Sequence, residues 1–255
     1  MNKTNHANKS NPKKIFADKI ERYLKNFEIM PEYIEHGRER LDKFYILYKE
    51  IVEWNKKINI TAITDENGFI KKHIIDGAFL FKILDKKIRY IIDIGSGAGF
   101  PGLVLNVLNP SLNIISVESV SKKCAFQKNI ARILNLFNFN CVNLNIFSFG
   151  FNENIDAIVT RAAFNAAELI NLIEKLNFQR NTDLYLFLSE IKEVKKIIDF
   201  KYKSKFLFLD RILFYKTEHL DYSNKKTGFR LIAKIIAASK SKRPLSDSNA
   251  LSGAA

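Results

Sequence analysis

Cysteine is scarce in this chain, with only Cys124 and Cys141 among 255 residues. Neither lies in a C-x-x-C pair, so no zinc or other metal site is expected. Two thiols in a leaderless chain read as reduced core residues rather than a disulfide. Long apolar runs are missing, and none reaches the roughly 18 residues that span a bilayer. The opening MNKTNHANKSNPKK is polar and basic and lacks the apolar centre of a signal peptide. These absences point to a soluble, cytoplasmic protein with no membrane partner. Acids are also in short supply: 27 Asp and Glu stand against 41 Lys and Arg, a formal net charge of +14. That surplus favours a polyanionic partner, because each neutralised phosphate releases counterions. It equally fits a chain rich in Lys, Asn and Ile throughout.

What is present suffices for one sizeable core: 47% hydrophobic residues, including 21 Phe. Residues 1–14 read as a disordered basic tail and 240–255 as a flexible C-terminal tail. From 15 to 84 the apolar residues recur at helical spacing, predicting an N-terminal helical layer. Its last helix is expected over about 69–84. From Tyr90 to Ile236 the pattern changes to short apolar runs alternating with helices. Strands are predicted at 90–95, 113–118, 141–147, 155–160, 183–189, 206–215 and 229–236. Helices are predicted at 102–108, 121–136, 166–176 and 191–200. This order predicts an α/β fold of the doubly wound type, with a mostly parallel seven-stranded sheet and an antiparallel hairpin at one edge. Nothing suggests a dimer face, so a monomer is expected.

Ten glycines serve the whole chain, and four of them fall between Gly95 and Gly102. The stretch from Asp93 to Gly102 leaves a predicted strand and enters a helix, which starts with unsatisfied N–H groups. Pro101 suits an early helical position. Gly97, Gly99 and Gly102 satisfy G-x-G-x-x-G, the dinucleotide fingerprint. Gly95, Gly97 and Gly99, with Asp93 two residues earlier, satisfy the D-x-G-x-G-x-G loop of S-adenosylmethionine sites. Both readings use Glu118, at the end of the next strand, as acceptor for ribose hydroxyls. Register favours the methyl donor: the strand ends at Asp93-Ile94, every glycine then has a place, and Asp93 sits beside the donor's ammonium or its water.

The run GSGAGFPG after DI, with the downstream VESVSKK, resembles the RsmG (GidB) family of bacterial methyltransferases. WNKKINIT (54–61) and KKHIIDG (71–77) are similar to the family signatures WN-x-x-x-N-L-T and RH-x-x-D-S. IDAIVTRAAF (155–164) is similar to a fourth, which ends in SRAF. The resemblance runs in family order from about Trp54 to Phe164. It implies a class I S-adenosylmethionine-dependent methyltransferase acting on N7 of a guanosine in 16S ribosomal RNA, near the decoding site, as naked RNA or within the small ribosomal subunit. By matching positions, Gly95 and Phe100 contact the cofactor, Glu118 holds its ribose, Ile146 and Phe147 flank its adenine, and Arg161 lies between cofactor and base. The chain departs from the family in having Ile146-Phe147 for Ala-Glu, Lys72 for Arg, Gly77 for Ser, and Leu188-Ser189-Glu190 for Leu-Lys-Gly.

Guanine N7 has a lone pair and no proton, so no catalytic base is needed. The site needs donors for guanine O6 and a surface that holds the unstacked base. Arg161 is the best-placed donor and Asn59 the second. Each singled-out residue also has a plain alternative. Asn59 and Thr61 either border the site or stop one helix and cap the next. His73 and Asp76 either border it or bond to each other on one helix face. Lys122, Lys123 and Arg230 either reach RNA or serve as solvated or ion-paired surface. Two other functions stay open: an NAD(P)-dependent oxidoreductase using Gly97, Gly99 and Gly102, and a non-catalytic RNA-binding protein on a methyltransferase fold.

Overall fold

The computed structural model describes residues 11–29, 37–148, 155–161 and 182–188, the strands 207–216 and 229–237, and the single positions 168 and 195. Helix α1 (Pro12–Asn26) starts where Asn11 accepts a hydrogen bond from the Lys13 N–H at 3.0 Å and Pro12 takes the first helical position. It therefore includes residues 12–14, which composition alone assigns to a tail. The capping pair outweighs their polarity. Residues 1–10 and 240–255 of the two tails lie outside the described residues. Helix α2 (Arg38–Asn55) packs on α1 and buries Leu41, Phe44, Leu47 and Ile51. Phe16 of α1 stacks on Tyr48 at 5.5 Å and meets Tyr45 edge-on at 5.4 Å.

The helix expected over 69–84 is built in three pieces. A short α3 (Glu66–Phe69) is capped by Asp65, whose Oδ1 accepts from the Gly68 N–H at 2.7 Å. A π-helical turn (Ile70–Ile75) follows, then α4 (Asp76–Ile83). Such turns insert an extra residue and often mark functional positions.

The seven strands are β1 (Tyr90–Ile94), β2 (Asn113–Val117), β3 (Phe139–Val142), β4 (Ala157–Arg161), β5 (Asp183–Leu188), β6 (Leu207–Lys216) and β7 (Phe229–Ala237). They form one sheet in the order β3-β2-β1-β4-β5-β7-β6. The first five are parallel, and β7 runs antiparallel to both β5 and β6. Helices α5 (Gly102–Leu108) and α6 (Ser121–Ile133) connect β1 to β2 and β2 to β3. All of β1 after Tyr90 is buried, which matches its continuous apolar run.

Two boundaries correct the sequence reading. The third strand starts earlier and ends at Val142, because Asn143 turns back to donate to the Glu118 carbonyl at 2.8 Å. Ile146–Ser148 is then a 3₁₀ turn. Helix α6 stops at Ile133, and Asn135 takes a left-handed conformation (φ 54°) that ends it. The helices predicted over 166–176 and 191–200 lie outside the described residues.

One hydrophobic cluster runs from Phe16 in α1 through the helical layer to Tyr185 and Ile232 in the sheet. Trp54 meets Phe126 edge-on at 5.5 Å, joining α2 to α6. Cys124 and Cys141 are free and buried, and burial pushes the Cys141 thiol up, away from nucleophilic use. Among the described residues, no helix is long and apolar enough to cross a membrane.

Candidate functional site

Strands β1 and β4 are neighbours, and the chain continues from β1 to β2 and from β4 to β5, in opposite directions along the sheet. A crevice opens at such a point. The register sets Ile94 beside Val117 and Thr160, and Val117 beside Val142. Gly95, Glu118, Asn143 and Arg161 thus emerge along one edge. The cleft there has a volume of about 290 Å³ and is lined by Ile94, Gly95, Val117, Ser119, Leu144, Asn145, Ile146 and Phe147. Its size is at the lower end for small-molecule sites. Ile146 is buried in the wall, whereas Phe147 is 58% exposed at the rim. Asn145 fixes that rim by accepting from the Phe147 N–H at 3.0 Å.

The glycine loop is held from behind. Glu118 Oε2 accepts from the Gly97 N–H and Oε1 from the Val120 N–H, both at 2.8 Å. Buried Gln127 donates to the Gly97 carbonyl and to Ser96 Oγ, each at 2.8 Å. Ser116 donates to Gln127 Oε1 at 2.6 Å and shares a hydrogen bond with Ser96. Two glycines have different reasons. A Cβ on Gly99 would stand 2.5 Å from Leu103, a packing constraint. Gly97, at φ 60°, would place its Cβ in open space, so a ligand can approach its backbone.

Asp93 is wholly buried. Its Oδ2 accepts from the Gly102 N–H at 2.8 Å, pinning the start of α5, while Oδ1 has no hydrogen-bond partner. Burial raises its pKa to about 7, against the opposing pull of the Gly102 hydrogen bond and the Arg161 charge.

Arg161 ends β4 facing the π-helical turn. Its guanidinium donates to the Lys72 carbonyl, contacts His73 Nδ1 at 2.7 Å and lies 3.8 Å from Asp76 Oδ2. The His73 ring stacks on Phe100 at 4.0 Å with the planes 9° apart, and Arg161 lies over the same Phe100 ring at 5.8 Å. Sequence reasoning set His73 and Asp76 on one helix face. The structure shows that this face meets Arg161. Phe100 is buried, so its ring supports His73 from inside the core.

Asn59 is exposed on the turn after α2. Thr61 does not cap the next helix, a role that falls to Asp65; its Oγ1 instead accepts from the Ile63 N–H at 3.2 Å. Asn55, overlooked in the sequence reading, shapes this turn. Its Oδ1 accepts from the Ile60 N–H at 2.8 Å and its Nδ2 donates to the Thr61 carbonyl at 2.6 Å. Gln127, Ser116 and Asn145 were also overlooked. Gln127 carried a signal: it is a polar residue on the apolar face shared by Cys124 and Ile130. Lys122 is exposed and Lys123 half-buried, one turn beyond Glu118. Arg230 pairs with Tyr215 in the sheet, and its side chain lies outside the described residues.

A family model described as GidB, rRNA small subunit methyltransferase G, matches residues 40–207. Ribosomal RNA small subunit methyltransferase G of Clostridium kluyveri is 35% identical over 142 residues, 53% of this chain and 60% of that protein. The Geotalea uraniireducens protein of the same name is 40% identical over 105 residues, 41% of this chain and 48% of that one. The chain thus spans roughly half to three-fifths of these relatives. The Mycoplasma capricolum protein of that name is 30% identical over 207 residues, covering 79% and 84%. Among solved structures, the N-methyltransferase NodS of Bradyrhizobium japonicum, in complex with S-adenosyl-L-homocysteine, is similar in fold. Its TM-score is 0.52 at 12% identity, over 77% of this chain and 99% of that one. An S-adenosylmethionine-dependent O-methyltransferase of Thermotoga maritima gives 0.50 at 15% identity, over 76% and 72%.

Proposed function

From the premise that the chain belongs to the rRNA small subunit methyltransferase G family, we propose that it transfers a methyl group from S-adenosylmethionine to N7 of a guanosine in 16S ribosomal RNA. The observation that carries this reading is the glycine loop at the switch point, tied to Glu118 and Gln127 beside an apolar cleft. Family membership sets aside the nicotinamide reading of the same glycines.

The residues present fit the cofactor. Val117, Leu144, Ile146 and Phe147 provide apolar walls for a purine. Gly97 offers backbone facing open space. The Glu118 carboxylate has lone pairs beyond its two backbone bonds with which to accept ribose hydroxyls. Asp93 Oδ1 is a buried acceptor with capacity for an ammonium. When bound, S-adenosylmethionine supplies a methyl carbon activated by an adjacent sulfonium.

Guanine N7 attacks with its own lone pair and has no proton to lose, so the chain supplies no base. The positive charge passes to the purine ring. The chain's work is positioning and water exclusion. Arg161 donates to guanine O6 at the carboxyl end of β4, and Asn59 acts as a second donor from the turn after α2. Lys122 and Lys123 meet phosphates beside the cleft. Because Arg161 is anchored on Lys72, His73 and Asp76, its orientation is set before the base arrives.

The test is transfer of labelled methyl to purified 16S ribosomal RNA, with nucleosides identified by mass spectrometry. 7-Methylguanosine is the expected product. Glu118→Ala loses two backbone anchors and weakens S-adenosylmethionine binding roughly 10- to 100-fold, in line with hydrogen bonds to a charged group. Wild-type protein that binds RNA but not the cofactor would leave the RNA-binding reading in its place.

A further inference from the structure

From Ser119 through Asn152 the sequence contains no Asp or Glu, yet it carries Lys122, Lys123, Lys128 and Arg132. All four cations lie on α6. In the helical layer, by contrast, several cations pair with acids: Lys13 with Asp42, Lys19 with Glu66, Lys25 with Glu21, Arg38 with Asp18 and Lys56 with Glu53. On α6, none of the four pairs with a carboxylate among the described residues. Ser121, Ala125, Lys128 and Arg132 recur at helical spacing and are all exposed, forming one outward stripe. The helix starts beside Glu118, so the stripe runs from the cleft mouth for roughly 15 Å.

At its far end the chain presents an aromatic ring to solvent. Phe137 is 91% exposed, and its backbone is held firmly. Leu136 N–H returns to the Ala131 carbonyl at 2.8 Å, and Asn138 Nδ2 donates to the Pro110 carbonyl at 2.7 Å. Leu136 and Phe139 on either side are buried. The loop thus points one ring outward from a fixed base, four residues after the exposed Ile133 that ends α6. An exposed ring beside unpaired cations is the arrangement that binds single-stranded nucleic acid, with phosphates on the cations and a base on the ring. A lipid surface would instead need a broad apolar patch, and among the described residues Ile133 and Phe137 are the only exposed large hydrophobics at this end of α6.

We infer that the outer face of α6, ended by Phe137, is a docking surface for the substrate RNA, in which Lys128 and Arg132 meet phosphates and Phe137 stacks on an unpaired base. The inference rests on the reading of RNA as substrate. It assigns contacts well away from the reacting guanosine, so a short RNA around that base binds less tightly than a longer fragment that also reaches the stripe.

The test uses the full chain and an in vitro transcript of the 16S RNA region that is methylated. Binding is titrated across salt concentrations. Each lost phosphate contact lowers the slope of log affinity against log salt by about 0.7 to 0.9, so K128A/R132A lowers it by roughly 1.5 while K128R/R132K keeps it. F137A weakens binding by roughly tenfold at constant slope, and F137W restores it. S-adenosylmethionine binding by each variant stays at the wild-type level, which separates docking from damage to the cleft. Unchanged affinity and slope in both K128A/R132A and F137A would overturn the inference. So would wild-type protein that binds anionic phosphatidylglycerol vesicles through these residues and RNA without them. If the wild type binds the transcript through this face but forms no 7-methylguanosine, the methyl-transfer reading fails and the docking surface stands.

Discussion

Asp93 is pulled in two directions. Burial favours its neutral form, while the Gly102 N–H and the Arg161 charge favour the carboxylate, and burial wins. The folded-state pKa of about 7 exceeds the ordinary 3.8, so the folded protein holds this proton more tightly than the unfolded chain. The resulting stability is complete below the unfolded value and is lost as pH rises through about 7. Asp93→Asn keeps an acceptor for Gly102 but cannot titrate. Its Tm relative to wild type should therefore climb between about pH 4 and 7 and then level off. A flat difference across that range would remove the assigned cause. Arg161 invites a second test. Arg161→Lys keeps the charge but loses the planar fork that spans Lys72 and His73, and kcat should fall by roughly 10²-fold with little change in S-adenosylmethionine affinity. His73→Ala should lower kcat more than it raises KM for RNA, because His73 acts by positioning Arg161. His73→Asn, which retains an acceptor near Nδ1, should recover part of the loss.

At the scale of elements, the interface between α4 and α5 depends on a missing side chain. A Cβ on Gly77 would stand 2.7 Å from Val104. The family's usual serine at this position would therefore collide here. Gly77→Ala should destabilise the protein by roughly 1–2 kcal/mol, an overpacking cost reduced by better helix propensity, and a denaturant melt measures it. Helices and strands with local signals were legible in the sequence. Gly102–Leu108 and Tyr90–Ile94 matched closely, because a glycine loop and an Asn-Pro turn delimit them. The π-helical turn left no mark, since Ile70–Ile75 has ordinary helical periodicity and its widening coincides with the Arg161 contact. The end of β3 is hidden in the sequence for a similar reason. The apolar run to Phe147 continues, but Asn143 donates to the Glu118 and Ser119 carbonyls, which follow the end of β2 far back in the chain.

For the molecule as a whole, one core spans the helical layer and the sheet. Far-UV circular dichroism and Trp54 fluorescence should therefore report a single coincident unfolding transition. Phe16→Ala, at the α1 end of that core, should cost about 3–5 kcal/mol and shift both signals together. Separate transitions would show that the helical layer melts alone. The glycine loop, the acid after β2, the strand–helix alternation and the basic balance were all legible in residue order, because each is set by near neighbours and by periodic burial. The anchoring of Arg161 on the π-helical turn, the hidden Ser96–Ser116–Gln127 brace and the position of β7 between β5 and β6 were not. They join residues far apart in the chain, and nothing in local spacing ranks one distant partner above another until the sheet order and the packed core bring them together.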